Sequence, residues 1–488
     1  MGNVHRAASL IAELRAAGVR EFCVCAGSRN SPLLAVLGAS DAPLFSFVDE
    51  RSAAFFALGR IKLHGNPVAV VTTSGTAVAE LLPGTIEAYY SGATLILITA
   101  DRPERFRGTG APQSIDQVGI FGVHAETSLE GWSGARPLHI NMEFDEPLID
   151  GEVPHQSHRS HRSYRSHQSH GANGTNGTNG TNGTNGILVV VGGLAEHHRP
   201  LVRTFLQNLN APTYAEPLSG LREDPTLPLI TAGERMIGKA HFSRVIRIGN
   251  VPTLRFWRDL ENSDIPVEHY TDLPFPGLTR GEIRPIEELP DIQGERDEDF
   301  FARDREYAEA FARILDLEPY SELAMFRDLS RELAEGTRVY LGNSLPIREW
   351  DLAATREPRG FTYEANRGVN GIDGQVSTFF GWCDPARDNV CVVGDLTAIY
   401  DLNAPWIVPQ LGHKRFRIVV VNNGGGRIFS RVASLRALDP ELRARIIENV
   451  HDVRFESWAA MWGIDVTELR PEADASQRVW QKYDELWS

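Results

Sequence analysis

Val-Cys-Val-Val-Gly-Asp at 390–395 and Ile-Val-Val-Val-Asn-Asn-Gly-Gly-Gly at 418–426 are two apolar runs, and each ends in a polar turn that contains glycine. Both runs have the length of a buried strand and are bounded by turn residues, which predicts neighbouring strands of a parallel sheet. Open α/β sheets bind ligands outside the carboxyl ends of their strands, where both turns would lie. The two runs therefore predict an α/β fold with a ligand site at one edge of its sheet.

The two turns also carry oxygen ligands of the kind that Mg²⁺ takes. Asp395 is followed by 27 residues and then by Asn423, within the glycine-rich turn. Mg²⁺ demands near-octahedral oxygen coordination and is usually held by one or two protein groups together with substrate phosphates. We therefore predict a Mg²⁺ (or Mn²⁺) site formed by side-chain oxygens of Asp395 and Asn423 and by the carbonyl of Gly425. A plain turn remains the alternative for either motif taken alone.

Apolar strand runs alternate with helical patterns in three parts of the chain, 1–150, 187–320 and 321–488. This alternation predicts three domains, each a doubly wound parallel sheet. Residues 151–186, which combine His/Ser repeats with Asn-Gly-Thr triplets, are predicted to be a low-complexity linker, because they bury too little apolar surface to offset their ordering entropy. Strands are predicted at 21–25, 68–72, 94–100, 137–142, 187–191, 245–249, 338–341, 361–364, 390–393 and 418–421.

Composition excludes several classes of protein. The net charge of −15 over 488 residues disfavours non-specific binding to nucleic acid. The sequence has neither an apolar run long enough to span a membrane nor an N-terminal signal core, which predicts a cytoplasmic protein. Four cysteines in so long a chain argue against a disulfide framework, and Cys23 and Cys25 are predicted to be buried thiols.

The spacing of Asp395 and Asn423 resembles the motif by which thiamine-diphosphate (ThDP) enzymes hold their cofactor. Three α/β units in one chain are likewise similar to the ThDP decarboxylase type, in which the first and third domains bind the two ends of ThDP. Glu50 is predicted to end a short strand before an apolar helix, and the resemblance implies that it forms a hydrogen bond with the aminopyrimidine ring, usually across a dimer interface. The alternative is a carboxylate favoured by the dipole of the helix that follows.

Seven further segments, in order along the chain, resemble the 2-succinyl-5-enolpyruvyl-6-hydroxy-3-cyclohexene-1-carboxylate synthases of menaquinone biosynthesis: 26–32, 72–78, 99–103, 110–117, 342–348, 366–374 and 394–403. The resemblance implies ThDP- and Mg²⁺-dependent decarboxylation of 2-oxoglutarate and addition of the resulting succinyl-semialdehyde carbanion to isochorismate. It also implies a homodimer or homotetramer whose partners are these two small molecules.

The same resemblance assigns the site residues. Glu50 and Gln113 are the expected catalytic residues, although an amide such as Gln113 can only orient a substrate by hydrogen bonding. Substrate carboxylates need paired cations, and the expected substrate-binding residues are Ser28, Arg29, Arg102, Gln113, Arg255, Ser344, Arg348 and Arg367. The expected cofactor-binding residues are Glu50, Thr76, Ile372, Gly394, Asp395, Leu396, Asn423, Gly425, Ile428 and Phe429.

The chain departs from the family's pattern at single positions, Pro112, Gly424 and Arg427, and more seriously in two places. A short link between Leu129 and Pro137 stands where the family has a helix, and the chain is expected to stop before the family's last strand and helix. Two alternative functions remain open at this point. One is another ThDP-dependent carboligase or decarboxylase of 2-oxo acids, such as an acetolactate synthase. The other is an inactive binding protein that retains the ThDP fold.

Overall fold

The computed structural model of the protein describes residues 2–153 and 186–488. These residues form three five-stranded sheets, in which every strand pairing is parallel. The predicted fold class is therefore confirmed. The predicted linker lies outside the described residues, apart from a few positions at its two ends, and the domain boundaries stay predictions.

The three sheets, each with its helices, form three units in chain order. In the sheet of the first unit, the inner strands β3 and β4 are the most deeply buried. All residues of these two strands are buried, in keeping with their continuous apolar sequences. The strands are β1 (Glu21–Cys25), β2 (Leu44–Phe47), β3 (Val68–Thr72), β4 (Leu95–Asp101) and β5 (Leu138–Glu143). The helices are α1 (Asn3–Ala16), α2 (Ser31–Gly38), α3 (Glu50–His64), α4 (Thr76–Ala79) and α5 (Leu82–Ser91).

The second sheet follows the same plan with shorter outer strands. Its strands are β6 (Ile187–Val191), β7 (Thr213–Ala215), β8 (Arg244–Ile248), β9 (Val267–Tyr270) and β10 (Ile283–Arg284). Its helices are α6 (Arg199–Leu209) and α7 (Arg255–Asp259), and the long helix α8 (Glu298–Leu317) leads to the third sheet.

The third sheet carries the two apolar runs that predicted the fold. Its strands are β11 (Arg338–Leu341), β12 (Thr362–Glu364), β13 (Asn389–Gly394), β14 (Phe416–Val421) and β15 (Val466–Leu469). Its helices are α9 (Glu322–Glu332), α10 (Leu345–Ala353), α11 (Gln375–Trp382), α12 (Asp395–Tyr400), α13 (Pro440–Ile446), α14 (Glu456–Trp462) and α15 (Ala473–Trp487). No helix in the described part of the chain is long and apolar enough to cross a membrane.

All three sheets share one strand order, in which the second strand lies outside the first and the third to fifth follow on the other side. In each sheet, the second strand is therefore added on one side of the first strand, and all later strands are added on the other side. The switch point lies between β1 and β3, between β6 and β8, and between β11 and β13. Ligands of open parallel sheets bind at such switch points. The arrangement therefore offers one candidate site at the carboxyl edge of each sheet.

The first and third units pack together through α3 and α11. An added Cβ at Gly59 would lie 2.1 Å from the Thr378 carbonyl oxygen, and one at Gly381 would lie 2.1 Å from the Phe56 carbonyl oxygen. Only glycine lets the two helix backbones approach this closely. The apolar core around this crossing is continuous from β1 and β3 to β13 and β14.

The two expected departures have different outcomes. No helix lies between Leu129 and Pro137; the Trp132 indole closes this link by donating to the Arg136 carbonyl at 2.8 Å. At the other end, β15 pairs with β14 along Ile418–Val421, and α15 follows it. The third sheet therefore does have a closing strand and helix, which the sequence did not reveal. All four cysteines are buried and free, which confirms the buried thiols predicted for Cys23 and Cys25.

Candidate cofactor and substrate site

Asp395 begins α12 immediately after β13 and is only 2% exposed. Its carboxylate accepts hydrogen bonds from the backbone N–H groups of Leu396 at 2.6 Å and of Gly424 and Gly425 at 2.9 Å each. Burial raises the pKa of Asp395, whereas these donors oppose that rise because they favour the charged form. The two turns predicted to meet at this edge therefore do meet, with the Asp395 carboxylate joining them.

Asn423 lies in the second turn, and its amide has a defined orientation. Its Nδ2 donates to the two carboxyl oxygens of Glu322, at 3.0 and 3.2 Å. No donor among the described residues reaches its Oδ1. The turn itself requires glycine, because Gly425 has a φ of +131° and an added Cβ would lie 2.6 Å from the Glu448 carbonyl oxygen. The amide oxygen is thus left available to a cation.

One cavity brings most of the expected cofactor residues together. Its walls come from the carboxyl ends of β11, β13 and β14 and from the residues that follow them. The oxygen-only set of Asp395, Asn423 and the glycine turn fits a hard divalent cation and its phosphate ligand. The expected site residues that line this cavity are Ser344, Ile372, Gly394, Asp395, Leu396, Asn423, Gly425, Ile428 and Phe429.

Arg367 lies beside this cavity with part of its guanidinium unpaired. Its Nη1 donates to Asn343 Oδ1 at 2.6 Å, but Nε and Nη2 are buried and have no hydrogen-bond acceptor among the described residues. Burial lowers the pKa of Arg367 to about 10, and the nearby Glu216 carboxylate partly offsets this effect. Buried donors without acceptors are rare in folded proteins and call for an explanation. A bound anion would supply the missing acceptors.

A second, larger cavity of about 870 Å³ adjoins the first and shares Ile428 with it. Arg255 and Arg348 both line it, although Arg255 is largely exposed and forms an ion pair with Asp259 at 3.6 Å. Burial lowers the pKa of Arg348, and Arg258 lowers it further. The cavity therefore places arginines beside the cofactor residues, together with acidic side chains such as Glu234 and Asp351.

Glu216, from the second unit, is the buried counter-charge of these arginines. Its Oε1 accepts from the Thr253 backbone N–H at 2.7 Å and from the Thr253 hydroxyl at 2.6 Å. Burial raises the pKa of Glu216 to about 7. Its charge favours the protonated forms of Arg348 and Arg367.

Two expected substrate residues have unusual backbone conformations. Ser344 has a φ of +72° and Gln113 a φ of +54°. In the described part of the chain, the only other residues besides glycine with positive φ are asparagines, which tolerate this region well. Strained backbone persists where the surrounding structure imposes it, and it clusters at functional sites.

The expected residues of the first unit gather at the carboxyl edge of the first sheet. Arg29 donates to the Phe144 carbonyl at 2.9 Å, and the proximity of Arg102 lowers its pKa together with burial, which is the larger cause. Arg102 donates from Nε to the Pro112 carbonyl at 3.0 Å, next to Gln113. Ser28 lies in the loop after β1, and Thr76 begins α4 just after β3, at the same edge.

Glu50 was predicted to end a short strand, but β2 ends at Phe47 and Glu50 is the first residue of α3. The helix is capped by Asp49, which accepts from the Ser52 N–H at 3.2 Å. Burial raises the pKa of Glu50, and the carboxylates of Asp49 and Glu80 raise it further. Asp49 also accepts from the side chain of Asn403, which fixes the start of α3 against the third unit. Glu50 does not line the cavity that contains Asp395.

The expected residues thus form two groups within one chain. The group around Asp395 is assembled in the third unit, and none of the six first-unit residues lines its cavities. Sequence reasoning missed Glu322, Glu216 and His451, whose Nε2 lies 3.4 Å from Asp395 Oδ2. Each of these residues lies in an unremarkable sequence context and reaches the site only through the fold.

Comparisons with known proteins agree with this geometry. The family described as "Thiamine pyrophosphate enzyme, N-terminal TPP binding domain" matches residues 5–120. Together, the three parallel sheets, the oxygen-rich turn site and this match define a thiamine-diphosphate enzyme.

Relatives that match over nearly the whole chain specify the family. A 2-succinyl-5-enolpyruvyl-6-hydroxy-3-cyclohexene-1-carboxylate synthase of Bdellovibrio bacteriovorus is 40% identical over 538 residues, which cover 100% of both chains. Proteins of the same name from Akkermansia muciniphila and Chloroflexus aurantiacus are 37% and 30% identical, covering 96% and 94% of this chain and 92% and 88% of theirs. The chain belongs to the 2-succinyl-5-enolpyruvyl-6-hydroxy-3-cyclohexene-1-carboxylate synthase family.

Proposed function

We propose that the protein joins 2-oxoglutarate to isochorismate with loss of CO₂, giving 2-succinyl-5-enolpyruvyl-6-hydroxy-3-cyclohexene-1-carboxylate for menaquinone biosynthesis. The observation that carries this proposal is Arg367, a buried guanidinium whose Nε and Nη2 lack acceptors among the described residues, beside the oxygen-rich cavity. Both substrates carry carboxylates, which an arginine pairs with well because its planar fork matches their geometry. Family membership supports the same reaction.

In this proposal Asp395, Asn423 and the Gly425 carbonyl hold Mg²⁺ (or Mn²⁺), which in turn holds the diphosphate. When bound, ThDP supplies a nucleophilic carbon that attacks 2-oxo acids and accepts the electron pair released with CO₂. Ile372 supports the cofactor from the wall of the cavity. The first-unit residue Thr76 contacts the other end of the cofactor.

The arginines of the two adjoining cavities divide the work of recognising substrate. Arg367 and Arg348 bind substrate carboxylates, with Arg255 contributing from the second unit. Glu216 keeps the pair from repelling each other when no substrate is bound. Ser344, Ile428 and Phe429 border the space between these arginines and the cofactor residues, so they shape the substrate pocket.

The remaining residues come from a second copy of the chain. Within one chain the first-unit group, which includes Glu50, Gln113 and Arg29, does not line the Asp395 cavity, so one chain alone forms an incomplete site. A homodimer in which the first unit of one copy faces the third unit of the other completes two equivalent sites. Exposed apolar residues at the first–third boundary, Val48 at 65% and Tyr400 at 55%, are consistent with such a contact.

Across this interface Glu50 hydrogen-bonds the aminopyrimidine ring and shares a proton with it. The raised pKa of Glu50 suits this role, because a carboxyl that holds its proton can donate a hydrogen bond. Gln113 orients the substrate through its amide, Ser28 and Arg29 contact a substrate carboxylate, and Arg102 adds a further cation.

The test is CO₂ release from 2-oxoglutarate by the purified protein with ThDP and Mg²⁺, with and without isochorismate, combined with mass detection of the product. We expect ThDP- and Mg²⁺-dependent formation of the named product and no comparable reaction with pyruvate. The Asp395→Ala variant should lose both activity and ThDP binding. A pyruvate reaction as fast as that of 2-oxoglutarate would instead identify a general 2-oxo-acid carboligase.

A further inference from the structure

The amide of Asn423 is held in one of its two possible orientations by Glu322. An amide offers an acceptor oxygen on one side and donor hydrogens on the other, and these two ends have nearly the same shape. Both carboxyl oxygens of Glu322 accept from Asn423 Nδ2, at 3.0 and 3.2 Å, so the amide is oriented with Nδ2 towards Glu322. Oδ1 then points away from Glu322.

Glu322 is itself fixed by the residues around it. It is 4% exposed, begins α9, and donates its backbone N–H to the Ser476 hydroxyl of α15 at 3.0 Å. The neighbouring carboxylate, Glu349, is 1% exposed and accepts from Arg431 Nη2 at 2.6 Å.

Arg431, which donates to Glu349, also contacts helix α15. Its guanidinium carbon lies 3.8 Å from the ring centroid of Trp480, on α15, and the residue lines the larger cavity. Hydrogen bonds thus join Asn423 to Glu322, and Arg431 to the neighbouring Glu349. Helix α15 contacts these residues at two points, through Ser476 and Trp480.

We propose that Glu322 is a positioning residue that presents the Asn423 amide oxygen to the metal ion. The inference rests on the proposed metal-binding role of Asn423. It predicts that Glu322 sets the affinity for Mg²⁺ while taking no part in the chemistry. Outer-shell partners of metal ligands typically change metal affinity by about 10–100-fold when they are removed.

The experiment compares Glu322→Ala and Glu322→Gln with wild type in the full-length protein. ThDP binding is titrated at a series of Mg²⁺ concentrations, and the apparent Mg²⁺ constant is read from the dependence. We expect Glu322→Ala to raise this constant by at least roughly tenfold. Glu322→Gln, which keeps an acceptor oxygen for Asn423, should give an intermediate value. The kcat of both variants should approach that of wild type once Mg²⁺ is saturating.

The matched control is Asp304→Asn in the second unit. Asp304 is 1% exposed and accepts backbone and hydroxyl donors from Thr231 and Ala232, so its loss disturbs a buried carboxylate network of similar kind. This variant should lower thermal stability without changing the apparent Mg²⁺ constant.

Two results would overturn the inference, and each is distinct from a failure of the proposed function. One is an unchanged Mg²⁺ constant in a folded Glu322→Ala or Glu322→Gln variant. The other is a loss of kcat that saturating Mg²⁺ does not restore. If ThDP binding by wild type itself does not depend on Mg²⁺, the proposed metal site is wrong, and the inference falls with it.

Discussion

At the scale of single residues, Arg367 has two buried nitrogen atoms without hydrogen-bond acceptors among the described residues, which is energetically unfavourable. Leaving a buried donor without an acceptor costs about 1–3 kcal/mol, and Arg367 leaves both Nε and Nη2 in this state among the described residues. A carboxylate that bridges these two nitrogens removes that penalty on binding. The position therefore favours a ligand with a planar pair of oxygens over a single point of negative charge.

Arg367→Lys tests this reasoning. A lysine ammonium cannot reproduce the planar fork, and loss of one partner of a desolvated charge pair costs on the order of 2–5 kcal/mol. We expect kcat/KM for at least one of the two substrates to fall by at least roughly tenfold, while the Kd for ThDP stays unchanged. Arg415→Lys, at an exposed ion pair with Asp388, is the matched control and should behave as wild type. Equal kcat/KM values in wild type and Arg367→Lys would remove Arg367 from the site.

Glu216 makes stability depend on pH. Its pKa is raised by burial from 4.5 to about 7 in the folded protein. Between these two values the folded state binds more protons than the unfolded state, so stability falls as the pH rises through this window. The full effect approaches about 3 kcal/mol above pH 7.

Glu216→Gln should therefore flatten the decline of the melting temperature between about pH 4.5 and pH 7. The amide can still accept from Thr253, but it removes the counter-charge of Arg348 and Arg367, so the test compares the slopes of melting temperature against pH and not the absolute melting temperatures. Melting curves of both proteins at about pH 4.5, 6 and 8 provide the measurement. Parallel pH profiles for the two proteins would show that Glu216 titrates as an ordinary exposed carboxylate.

The sequence predicted the site only in part, for a physical reason. Asp395 and Asn423 follow apolar strand runs, so local pattern alone places them at one sheet edge. Glu322, Glu216 and His451 carry no such pattern, because their position depends on how separate elements pack. A buried carboxylate in a helix looks like a solvated one until the fold supplies its surroundings.

At the scale of secondary-structure elements, the crossing of α3 and α11 depends on glycine. Replacing a helical glycine by alanine normally stabilises a protein by about 0.5–1 kcal/mol. At Gly59 the added Cβ would lie 2.1 Å from a backbone oxygen, and backbone cannot yield as a flexible side chain does. The steric term therefore outweighs the gain in helix propensity.

Gly59→Ala is expected to destabilise the protein by about 1–3 kcal/mol or more, the usual cost of overpacking. Gly38→Ala, at the end of α2, is the matched control, since no atom lies within 4 Å of the place that its new Cβ would take. Thermal unfolding should show a lower melting temperature for the first variant and an equal or higher one for the second. A Gly59→Ala protein as stable as Gly38→Ala would mean that the two helices move apart at little cost.

The strands illustrate what local sequence determines. All ten predicted strands are confirmed to within two residues, because buried parallel strands are continuous apolar runs. Of the other five strands, β2 was predicted only as a short strand at Glu50, and β7, β9, β10 and β15 were not predicted. These five strands are two to four residues long. All of them except β9 lie at a sheet edge, where a strand pairs on one side only and the apolar signal is weak.

At the scale of the whole molecule, the proposed site divides between two chains, and subunit mixing tests the division. Glu50→Gln removes a residue of one half-site and Asp395→Ala a residue of the other, so each variant alone should be inactive. If the halves come from different copies, each mixed dimer contains one site without either substitution. Random reassociation should then restore about a quarter of wild-type activity.

Restoration must depend on exchange of subunits, which size-exclusion chromatography of differently tagged chains can follow. Two Glu50→Gln preparations mixed in the same way provide the control and should stay inactive. If mixed dimers form without regaining activity, both halves of the site belong to one chain.

The positive φ of Ser344 has a consequence for anyone who selects this protein for heat resistance. A residue other than glycine in such a conformation stores about 1–3 kcal/mol, which Ser344→Gly would release. That substitution would also delete the hydroxyl that borders the substrate pocket. Selection for thermal tolerance alone would thus enrich a variant that endures heating and turns over poorly, whereas selection for product formation would retain the serine.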